Sequence, residues 1–455
     1  MPFSSVNPAT DEVIATYAEH GPADVENVLA RADAAQKEWG RRSRAERAEI
    51  IRRLGEVLRE GATRAGRIIT AEMGKPLGQA VSEVVKCATA CSVMADYADD
   101  VLRDRVVASE FRSSVVRSEP MGLILSIMPW NFPFWQFFRF AAPALIAGNG
   151  VLLKHAPTTF GSALEAVRLC REAGLSDGLV DVLFIDVPAV EDVIADKRIR
   201  AVTFTGSTRG GMAVGALAGR YVKKSVLELG GSDAYVVLED ADLDHAVRTC
   251  VESRCINSGQ SCIAAKRFIV HEGIASIFTE RMIQLMRERV VGDPLDASTQ
   301  IGPMARRDLR DALLDQISRA VAAGAVASDD PLRGLPERGF FIRPLVLSDV
   351  AGNNPVAQEE LFGPVAMVMT FSTDDEALRI ANGTSFGLGA AVFTKDSRRA
   401  DLFTRELHAG NVFVNDFVRS DARFPFGGVK DSGYGRELGI EGLHEFVAVK
   451  TVVEV

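Results

Sequence analysis

The chain has 455 residues, of which 47% are hydrophobic and 25% are charged, and these proportions are typical of a globular protein with a large core. Its length favours two to four domains over a single one. The formal net charge of −9 disfavours nucleic acid and anionic membranes as partners, although it leaves room for a local basic pocket that binds an anionic ligand.

The N-terminus and the cysteines predict a cytoplasmic protein. The first residues lack the charged and apolar regions of a signal peptide, and the longest apolar stretch, residues 140–153, is interrupted by Pro143 and by two glycines. Six cysteines in a chain of this length do not indicate a disulfide framework, and no Cys or His spacing resembles a zinc site. We therefore expect a cytoplasmic, metal-free protein that binds neither membranes nor nucleic acid.

The first hundred residues are predicted to be helical. Apolar side chains recur at helical spacing in three stretches, at residues 25–39, 50–58 and 81–94. The pattern changes at Ser113, where β-rich segments begin.

Beyond Ser113, short β-rich runs alternate with segments of helical length. The predicted strands are 122–127, 151–154, 180–184, 201–204 and 225–228, and the predicted helices are 136–147, 159–173 and 208–218. Strands that alternate with helices indicate βαβ units and a parallel, doubly wound sheet.

A second α/β region is predicted after residue 234. Its first strands are expected at 235–238 and 267–270, and helical patterns continue to about residue 323. The tail, residues 450–455, is predicted to be an edge strand that pairs with another subunit or with a neighbouring hairpin.

A turn at Gly206 and Ser207 lies between a predicted strand and a predicted helix. Such a turn directs backbone N–H groups and the helix dipole towards a phosphate, although this one is neither Gly-x-Gly-x-x-Gly nor a Walker loop. Lys154 ends another predicted strand, where a lysine can contact a ribose or a phosphate. Taken singly, an ordinary strand-to-helix turn and a solvated lysine explain these features about as well.

Three polar residues are candidates for covalent catalysis. Cys262 follows a polar, glycine-containing segment that is unlike the surroundings of an inert core cysteine, and Glu228 opens Glu-Leu-Gly-Gly as a candidate base. Asn131 lies between Pro129 and Pro133, which fix the backbone so that the Asn131 amide can donate to an oxyanion. Taken singly, a core cysteine, a capping carboxylate and a turn-forming asparagine are equal or stronger alternatives.

The order of these residues along the chain resembles the NAD(P)-dependent aldehyde dehydrogenase superfamily. The matching segments, in order, are Asn131, Lys154, Gly206-Ser207, Glu228-Leu-Gly-Gly, Cys262, Glu360-Leu-Phe-Gly-Pro and Pro425-Phe-Gly-Gly. The resemblance covers residues 7 to 450 and is closest to the bacterial succinate-semialdehyde dehydrogenases, through Trp130-Asn-Phe-Pro-Phe-Trp and Lys154-His-Ala-Pro.

The resemblance implies two doubly wound α/β domains and a small β oligomerisation element. Residues 1–110 and 121–230 would form the dinucleotide-binding domain, and residues 231–436 the catalytic domain. Residues 111–120 and 437–455 would form the oligomerisation element of a homodimer or homotetramer.

The resemblance also implies a mechanism. Cys262 would attack the aldehyde, Asn131 would hold the oxyanion, and Glu228 would activate the water that hydrolyses the thioester. CoA-acylating relatives generally lack this base, so Glu228 favours water as the acyl acceptor. A CoA-acylating enzyme and a Cys-dependent hydrolase without redox activity are the alternatives, and a redox role for Cys255 beside Cys262 is a further one.

The cofactor site implied by the resemblance binds NADP or NAD. Its residues would be Trp130, Lys154, Pro157, Gly206, Ser207, Leu229, Glu360 and Phe362. NAD-preferring members commonly carry a glutamate three residues after the lysine, where this chain has Pro157. Without that carboxylate a 2′-phosphate is not repelled, and we predict that NADP is accepted and NAD is still usable.

The predicted substrate is an aldehyde that carries its own carboxylate, with succinate semialdehyde favoured. Relatives that oxidise semialdehydes carry an arginine at the place of Arg139 and a hydroxyl at the place of Ser420, and Gln136 lies one helical turn from Arg139. Some relatives have a second arginine where this chain has Ile256. Another ω-carboxy aldehyde or an uncharged aldehyde is therefore an alternative substrate.

Overall fold

An N-terminal β-hairpin and four consecutive helices precede a region in which strands and helices largely alternate, in a computed structural model that describes residues 2–455. The strands are β1 (Phe3–Asn7), β2 (Glu12–Tyr17), β3 (Arg105–Val106), β4 (Ser113–Pro120), β5 (Leu123–Met128), β6 (Gly150–His155), β7 (Val180–Val182), β8 (Ile199–Thr205), β9 (Lys224–Glu228), β10 (Ala234–Val237), β11 (Arg267–His271), β12 (Val326–Ala327), β13 (Leu345–Ser348), β14 (Val365–Phe371), β15 (Gly389–Phe393), β16 (Asn411–Val414), β17 (Gly433–Tyr434) and β18 (Val447–Glu454). The α-helices are α1 (Pro22–Arg41), α2 (Arg44–Glu60), α3 (Ala62–Met73), α4 (Leu77–Val101), α5 (Trp135–Ile146), α6 (Phe160–Glu172), α7 (Val190–Ala195), α8 (Thr208–Arg220), α9 (Leu243–Cys255), α10 (Glu272–Arg287), α11 (Arg307–Ala322), α12 (Asp374–Asn382), α13 (Ser397–Glu406) and α14 (Gly439–Glu445).

The chain begins with a β-hairpin, and the prediction of helix throughout the first hundred residues is wrong for this segment. β1 and β2 pair antiparallel, from Phe3 opposite Tyr17 to Asn7 opposite Glu12, and Asp11 takes a φ of 58° in the turn between them. Each strand has only five or six residues, so its alternating pattern is too short to stand out before the helices that follow. The three predicted helical stretches lie within α1, α2 and α4.

The first sheet has six strands in the order β17-β9-β8-β5-β6-β7, and β5 to β9 are parallel. All five predicted strands of this region are confirmed within two residues at each end. β5 and β6 are buried along their whole length, as expected for parallel strands covered by helices on both faces. The connections reverse direction between β5 and β8, which is the position where open α/β sheets bind ligands at the carboxyl ends of their strands.

The second sheet has seven strands in the order β12-β13-β14-β11-β10-β15-β16. Its strands are parallel except for β12, which pairs antiparallel with β13. The second α/β region predicted after residue 234 is therefore confirmed, and both of its predicted strands are present as β10 and β11.

A third, three-stranded sheet has the order β18-β4-β3. β18 pairs antiparallel with β4 over eight residue pairs, from Val447 opposite Pro120 to Glu454 opposite Ser113. The predicted strand at the tail is thus confirmed, and its partner belongs to the same chain. Among residues 2–455, no strand pairs with the outer edge of β18.

Two features bear on the class of protein. None of the helices within residues 2–455 is both long enough and apolar enough to cross a membrane. The same residues contain no group of three or more His, Cys, Asp or Glu side chains arranged to hold a metal ion.

Candidate active site

The predicted site residues gather at one edge of the first sheet. Asn131 follows β5, Lys154 lies near the end of β6, Gly206 and Ser207 follow β8, and Glu228 ends β9. Because these four strands are parallel neighbours, their carboxyl ends meet at the same edge. The sheet topology therefore brings together residues that lie far apart in the sequence.

A small cavity of about 190 Å³ opens at this edge. Cys262 and Asn131 line it together with six of the predicted cofactor residues, which are Trp130, Gly206, Ser207, Leu229, Glu360 and Phe362. The rings of Trp130 and Phe362 meet edge to face, 5.8 Å apart. Lys154 and Pro157 lie outside this lining, at the end of β6 and just beyond it.

A larger cavity of about 690 Å³ lies on the other side of Cys262. All three predicted substrate residues line it, and Cys262 and Gln136 line both cavities. The lining residues that matter below are Lys86, Trp135, Gln136, Arg139, Cys262, Ser420 and Phe426. Ile256 also lines this cavity, so the wall near the nucleophile is apolar at that position.

The loop before Cys262 has a strained backbone. Asn257 and Ser258 take φ values of 54° and 55°, which are unfavourable for residues with a side chain, and Gly259 follows with a φ of 74°. Asn257 N–H donates to Gln79 Oε1 at 2.8 Å, and Ser258 Oγ donates to the carbonyl of Gly302 at 3.0 Å. These contacts with distant segments hold a conformation that the local sequence disfavours.

Gly259 packs against the Phe-Gly-Pro turn of the second sheet. A Cβ atom at Gly259 would lie 2.3 Å from the carbonyl carbon and oxygen of Gly363, so no other residue fits. Gln260 extends the contact, because its Oε1 accepts from the N–H of Ala305 at 2.8 Å. The nucleophile loop is therefore fixed by close backbone packing as well as by hydrogen bonds.

Charged groups surround the Cys262 thiol. Burial raises the pKa of Cys262 to about 12, an effect that Arg139 and Lys266 partly oppose. Lys266 Nζ donates to the backbone carbonyls of Ser261 and Cys262 and lies 3.4 Å from Glu360 Oε1. The thiol is therefore protonated at neutral pH in this state, and a base has to remove its proton before it can attack.

Asn131 is buried and its amide is held in one orientation. Its Oδ1 accepts from Gln136 Nε2 at 2.9 Å, and its Nδ2 donates to the carbonyl of Gln260 at 3.1 Å. An amide nitrogen carries two hydrogens, so one N–H remains for a ligand in the small cavity. Gln136 was predicted to bind substrate, and the structure shows it hydrogen-bonded to Asn131.

A buried ion pair supports Asn131 from behind. Lys75 pairs with Glu83 and donates to the backbone carbonyl of Asn131 at 2.9 Å. Glu83 Oε1 accepts from the backbone N–H groups of Phe134 and Trp135 at 2.9 and 3.0 Å. Neither charged residue was singled out in the sequence, where a lysine and a glutamate eight positions apart suggest only a solvated helix end.

Glu228 is buried behind the larger cavity and lines neither cavity. Its Oε1 has no hydrogen-bond partner among the described residues. Burial raises the pKa of Glu228 well above its usual range, Glu437 raises it further, and Arg139 and Arg436 oppose the rise. These surroundings favour the protonated form of the Glu228 carboxyl group in this conformation.

Arg139 lines the larger cavity, where it was predicted to bind the substrate, and it is also paired with a buried carboxylate. Its guanidinium pairs with the buried Glu437, donates to Thr205 Oγ1 at 3.3 Å and lies 5.0 Å from the centroid of the Phe426 ring. The resulting cluster of Arg139, Glu437 and Glu228 has one positive group for two acids. The charge of Arg139 is therefore already engaged by protein carboxylates, although the residue lines the larger cavity.

The chain is similar over nearly its whole length to a known family of enzymes. The model of the aldehyde dehydrogenase family matches residues 1–452. The chain belongs to the aldehyde dehydrogenase family.

Two curated relatives in this family are similar over nearly their whole length. The chain is 44% identical to the succinate semialdehyde dehydrogenase Sad of Escherichia coli (strain K12), a protein named for NAD(P)+, over 98% of this chain and 97% of that protein. It is 42% identical to succinate-semialdehyde dehydrogenase 1 of Mycobacterium tuberculosis, named for NADP+, over 99% of both chains.

A solved structure gives the same relationship in three dimensions. The succinic semialdehyde dehydrogenase of Streptococcus pyogenes, in complex with NADP+, superposes with a TM-score of 0.96 at 34% identity and 99% coverage of both chains. This agreement confirms the predicted aldehyde dehydrogenase fold.

The residues of this aldehyde dehydrogenase fit a dinucleotide. α8 begins directly after Ser207, whose Oγ accepts from the N–H of Gly210 at 3.2 Å, so the positive end of the helix dipole faces the edge of the sheet. Lys154 is 7% exposed, and burial lowers its pKa, which Asp186 partly offsets. A helix N-terminus and a lysine suit phosphates, and the aromatic rings of Trp130 and Phe362 in the cavity wall suit contact with a flat ring.

Glycines around the small cavity make room for two of the side chains that line it. A Cβ atom at Gly230 would lie 2.6 Å from Glu360 Oε2, and one at Gly211 would lie 2.3 Å from Leu229 Cδ2. Glu360 Oε1 also accepts from the N–H of Gly231 at 3.2 Å. The glycines after β9 and in α8 therefore let Glu360 and Leu229 reach the positions from which they line the cavity.

Cys255 lies away from both cavities that contain Cys262. It ends α9, is buried as a free thiol, and burial raises its pKa to about 11. Cys255 lines neither cavity that contains Cys262, and a redox role for it beside Cys262 stays a prediction.

Proposed function

We propose that this aldehyde dehydrogenase oxidises succinate semialdehyde to succinate with NADP or NAD, through a thioester on Cys262 that water hydrolyses. The observation that carries the proposal is the position of Cys262 as the thiol shared by two cavities. One is lined by residues suited to a dinucleotide, and the other by residues suited to a small polar aldehyde. The names of the relatives supply the substrate and the cofactors.

In the first step the Cys262 sulfur bonds to the aldehyde carbon, and the carbonyl oxygen becomes an oxyanion. The free N–H of the Asn131 amide donates to that oxygen, and Gln136 keeps the amide in the required orientation. The thiol proton passes to solvent water at this stage, and the nearby positive charges of Arg139 and Lys266 favour its loss.

Bound NAD(P)+ supplies the hydride acceptor, and the loss of hydride leaves an acyl group on the Cys262 sulfur. Trp130, Leu229 and Phe362 would hold the nicotinamide end, and Glu360 would contact its ribose. Ser207 and Lys154 would bind the phosphate and adenosine end. Each assignment is the one that the family resemblance implies, and all of these residues except Lys154 line the small cavity.

In the last step Glu228 takes a proton from the water that attacks the thioester. Because its carboxyl group does not line the cavity, Glu228 has to rotate about its side-chain bonds and leave the Arg139–Glu437 cluster to reach that water. The rotation also brings the carboxyl group out of its buried position. Because burial is the main cause of its raised pKa, this movement lowers the pKa of Glu228 and makes it a better proton acceptor.

The cofactor preference follows from the end of β6. Lys154 has no carboxylate in the position three residues later, where Pro157 begins a short helical turn. A 2′-phosphate placed near Lys154 would therefore be attracted and not repelled. We propose that the enzyme uses NADP well and NAD less well.

One panel of assays tests the proposed function. Reduction of NADP and of NAD is measured with succinate semialdehyde, glutarate semialdehyde and butanal, without CoA, and Cys262→Ala is the blank. We expect CoA-independent turnover, and kcat/KM for succinate semialdehyde at least about tenfold above that for butanal. Turnover that requires CoA, or equal kcat/KM values for the charged and uncharged aldehydes, would contradict the proposal.

The third sheet supports a proposal about assembly. The outer edge of β18 has no paired strand in residues 2–455, and Val449 and Val453 are exposed on this strand. We propose that residues 111–120 and 437–455 form the oligomerisation element of a cytoplasmic homodimer or homotetramer. They would be appended to a dinucleotide-binding domain (1–110 and 121–230) and a catalytic domain (231–436). Light scattering after gel filtration gives the mass, and a monomer would contradict the proposal.

A further inference from the structure

Lys86 is a half-buried cation that the mechanism above does not use. It lies on α4, and its Nζ donates to Ser420 Oγ at 2.9 Å and lies 4.1 Å from the centroid of the Trp135 ring. Burial lowers the pKa of Lys86 to about 8, and the positive charge of Arg139 acts in the same direction. The ammonium group is thus held at the cavity wall by a hydroxyl group and an aromatic face, both of them neutral.

Lys86 differs in this respect from the other cations of the larger cavity. Four cationic side chains line that cavity, and three of them already have a carboxylate partner; the pairs are Arg139 with Glu437, Arg419 with Asp416 and Arg423 with Asp421. Among residues 2–455, no carboxylate lies within 4.0 Å of the Lys86 ammonium. Asp421 and Glu83 act on Lys86 only at longer range. A partly buried cation without a carboxylate in contact is costly, and an anionic ligand would reduce that cost.

Ser420 adds a directed hydrogen-bond donor beside this cation. Its Oγ accepts from Lys86 Nζ and from Trp135 Nε1, both at 2.9 Å, which uses the two lone pairs of a hydroxyl oxygen. Its own hydrogen is therefore left to donate to a further acceptor. Lys86 and Ser420 together present an ammonium and an O–H group on one wall of the cavity, a donor set that suits a carboxylate.

We propose that Lys86, together with Ser420, binds the ω-carboxylate of the aldehyde substrate and so determines its specificity. The inference rests on the proposed function, because it assigns the substrate carboxylate of that reaction to a place in the cavity. The aldehyde carbon then lies at Cys262 and the carboxylate at the Lys86 wall of the same cavity. Arg139 is left to the cluster with Glu437 and Glu228.

The test compares Lys86→Met with the unchanged enzyme on two aldehydes of equal chain length. Methionine keeps most of the volume and apolar contact of lysine and removes its charge. We expect KM for succinate semialdehyde to rise about 10- to 100-fold, the range for loss of one hydrogen bond between charged groups. The kcat for succinate semialdehyde and both constants for butanal should stay within about twofold, because butanal carries no carboxylate.

Two further variants control for charge and folding. Lys86→Arg keeps a cation, so its KM for succinate semialdehyde should lie much closer to that of the unchanged enzyme than to that of Lys86→Met. Arg423→Met removes a different cation from the same cavity, one that already pairs with Asp421. The KM of this variant for succinate semialdehyde should stay close to that of the unchanged enzyme. Melting temperatures show whether each variant is folded.

The outcomes separate this inference from the proposed function. If the unchanged enzyme prefers succinate semialdehyde and Lys86→Met keeps that preference, Lys86 does not bind the carboxylate. Equal losses on both aldehydes would also overturn the inference, since they indicate a structural role. If the unchanged enzyme shows no preference for succinate semialdehyde over butanal, the proposed function and the inference fail together.

Discussion

The two cavities that meet at Cys262 are built in different ways. The smaller one is formed largely by turns at the carboxyl ends of β5, β8 and β9 and by the Glu360–Phe362 segment, and glycines allow its walls to approach closely. The larger one is formed by side chains of α4, α5 and the segment from Phe417 to Phe426. Backbone geometry therefore defines the cofactor side, whereas charged and aromatic side chains define the substrate side.

This difference separates what is general in the reaction from what is particular to the substrate. A site made of turns and glycines depends on the fold, and it suits a cofactor that many enzymes share. A site made of side chains such as Lys86 and Ser420 can change by single substitutions without disturbing the sheet. The predictions below test this contrast.

The loop before Cys262 should be the part of the molecule most sensitive to substitution. In Gly259→Ala the new Cβ would overlap the carbonyl group of Gly363, and we expect a loss of about 5 kcal/mol in stability. Thermal unfolding and NADP reduction should both report this loss. Gly324→Ala is the matched control, because Gly324 has a φ of 99° but no atom within 4 Å of its Cβ position.

Gly324→Ala should cost only about 1–2 kcal/mol, which is the backbone strain of a left-handed alanine. If the two variants unfold at the same temperature, close packing against Gly363 does not hold the nucleophile loop.

The ion pair behind Asn131 should give the next largest effect. Glu83→Gln leaves Lys75 buried without a negative partner and should lower stability by about 3–5 kcal/mol. The variant should also lose kcat with both succinate semialdehyde and butanal, because Asn131 serves the oxyanion of either substrate. Thermal unfolding and steady-state kinetics measure the two effects.

The double variant Lys75→Met/Glu83→Gln separates stability from catalysis. It contains no unpaired charge and should recover much of the melting temperature. Its kcat should remain low, since the hydrogen bond to the Asn131 carbonyl is lost. Full recovery of kcat would show that the pair has no role in positioning Asn131.

The cofactor side should respond to charge at the end of β6. Pro157→Glu places a carboxylate near the proposed 2′-phosphate site and should lower kcat/KM for NADP about tenfold by repulsion, with little loss for NAD. Pro157→Gln is the control, because it removes the same proline without adding charge. An equal loss in both variants would assign the effect to the backbone.

The acid cluster behind the substrate side should show the smallest effect, a change in pH dependence. Glu437 raises the pKa of Glu228, so Glu437→Gln should lower it, and Arg139 then becomes free to stabilise the ionised form of Glu228. The acidic limb of the kcat–pH profile should move to lower pH. Glu441→Gln, an exposed position on α14, should leave the limb in place.

The contrast between the cavities also explains what the sequence could predict. The strands and turns of the first sheet follow from local patterns of apolar runs and glycines, and their parallel order places Asn131, Gly206 and Glu228 together. Lys75, Glu83 and Lys86 could not be recognised, because their roles depend on packing of α4 and the turn before it against segments up to 334 residues away. The pairing of Arg139 with Glu437 was missed for the same reason.

The N-terminal hairpin was missed for a different reason. β1 and β2 are short and lie directly before twenty residues of regular helix, so their period-two pattern carries little weight. β18 was predicted as an edge strand from its composition, but sequence alone left open whether its partner belongs to the same chain.

The left-handed backbone before Cys262 has a consequence for the order of folding. Contacts with Gln79, Asn131, Gly302 and Gly363 help to hold the conformation of Asn257, Ser258 and Gly259. The first of these partners is 178 residues away, and such distant contacts form late because long chain segments must close first. In a newly made chain the Cys262 thiol is therefore not held in its final position until both sheets have assembled. Reactivity towards aldehydes is acquired together with the finished fold.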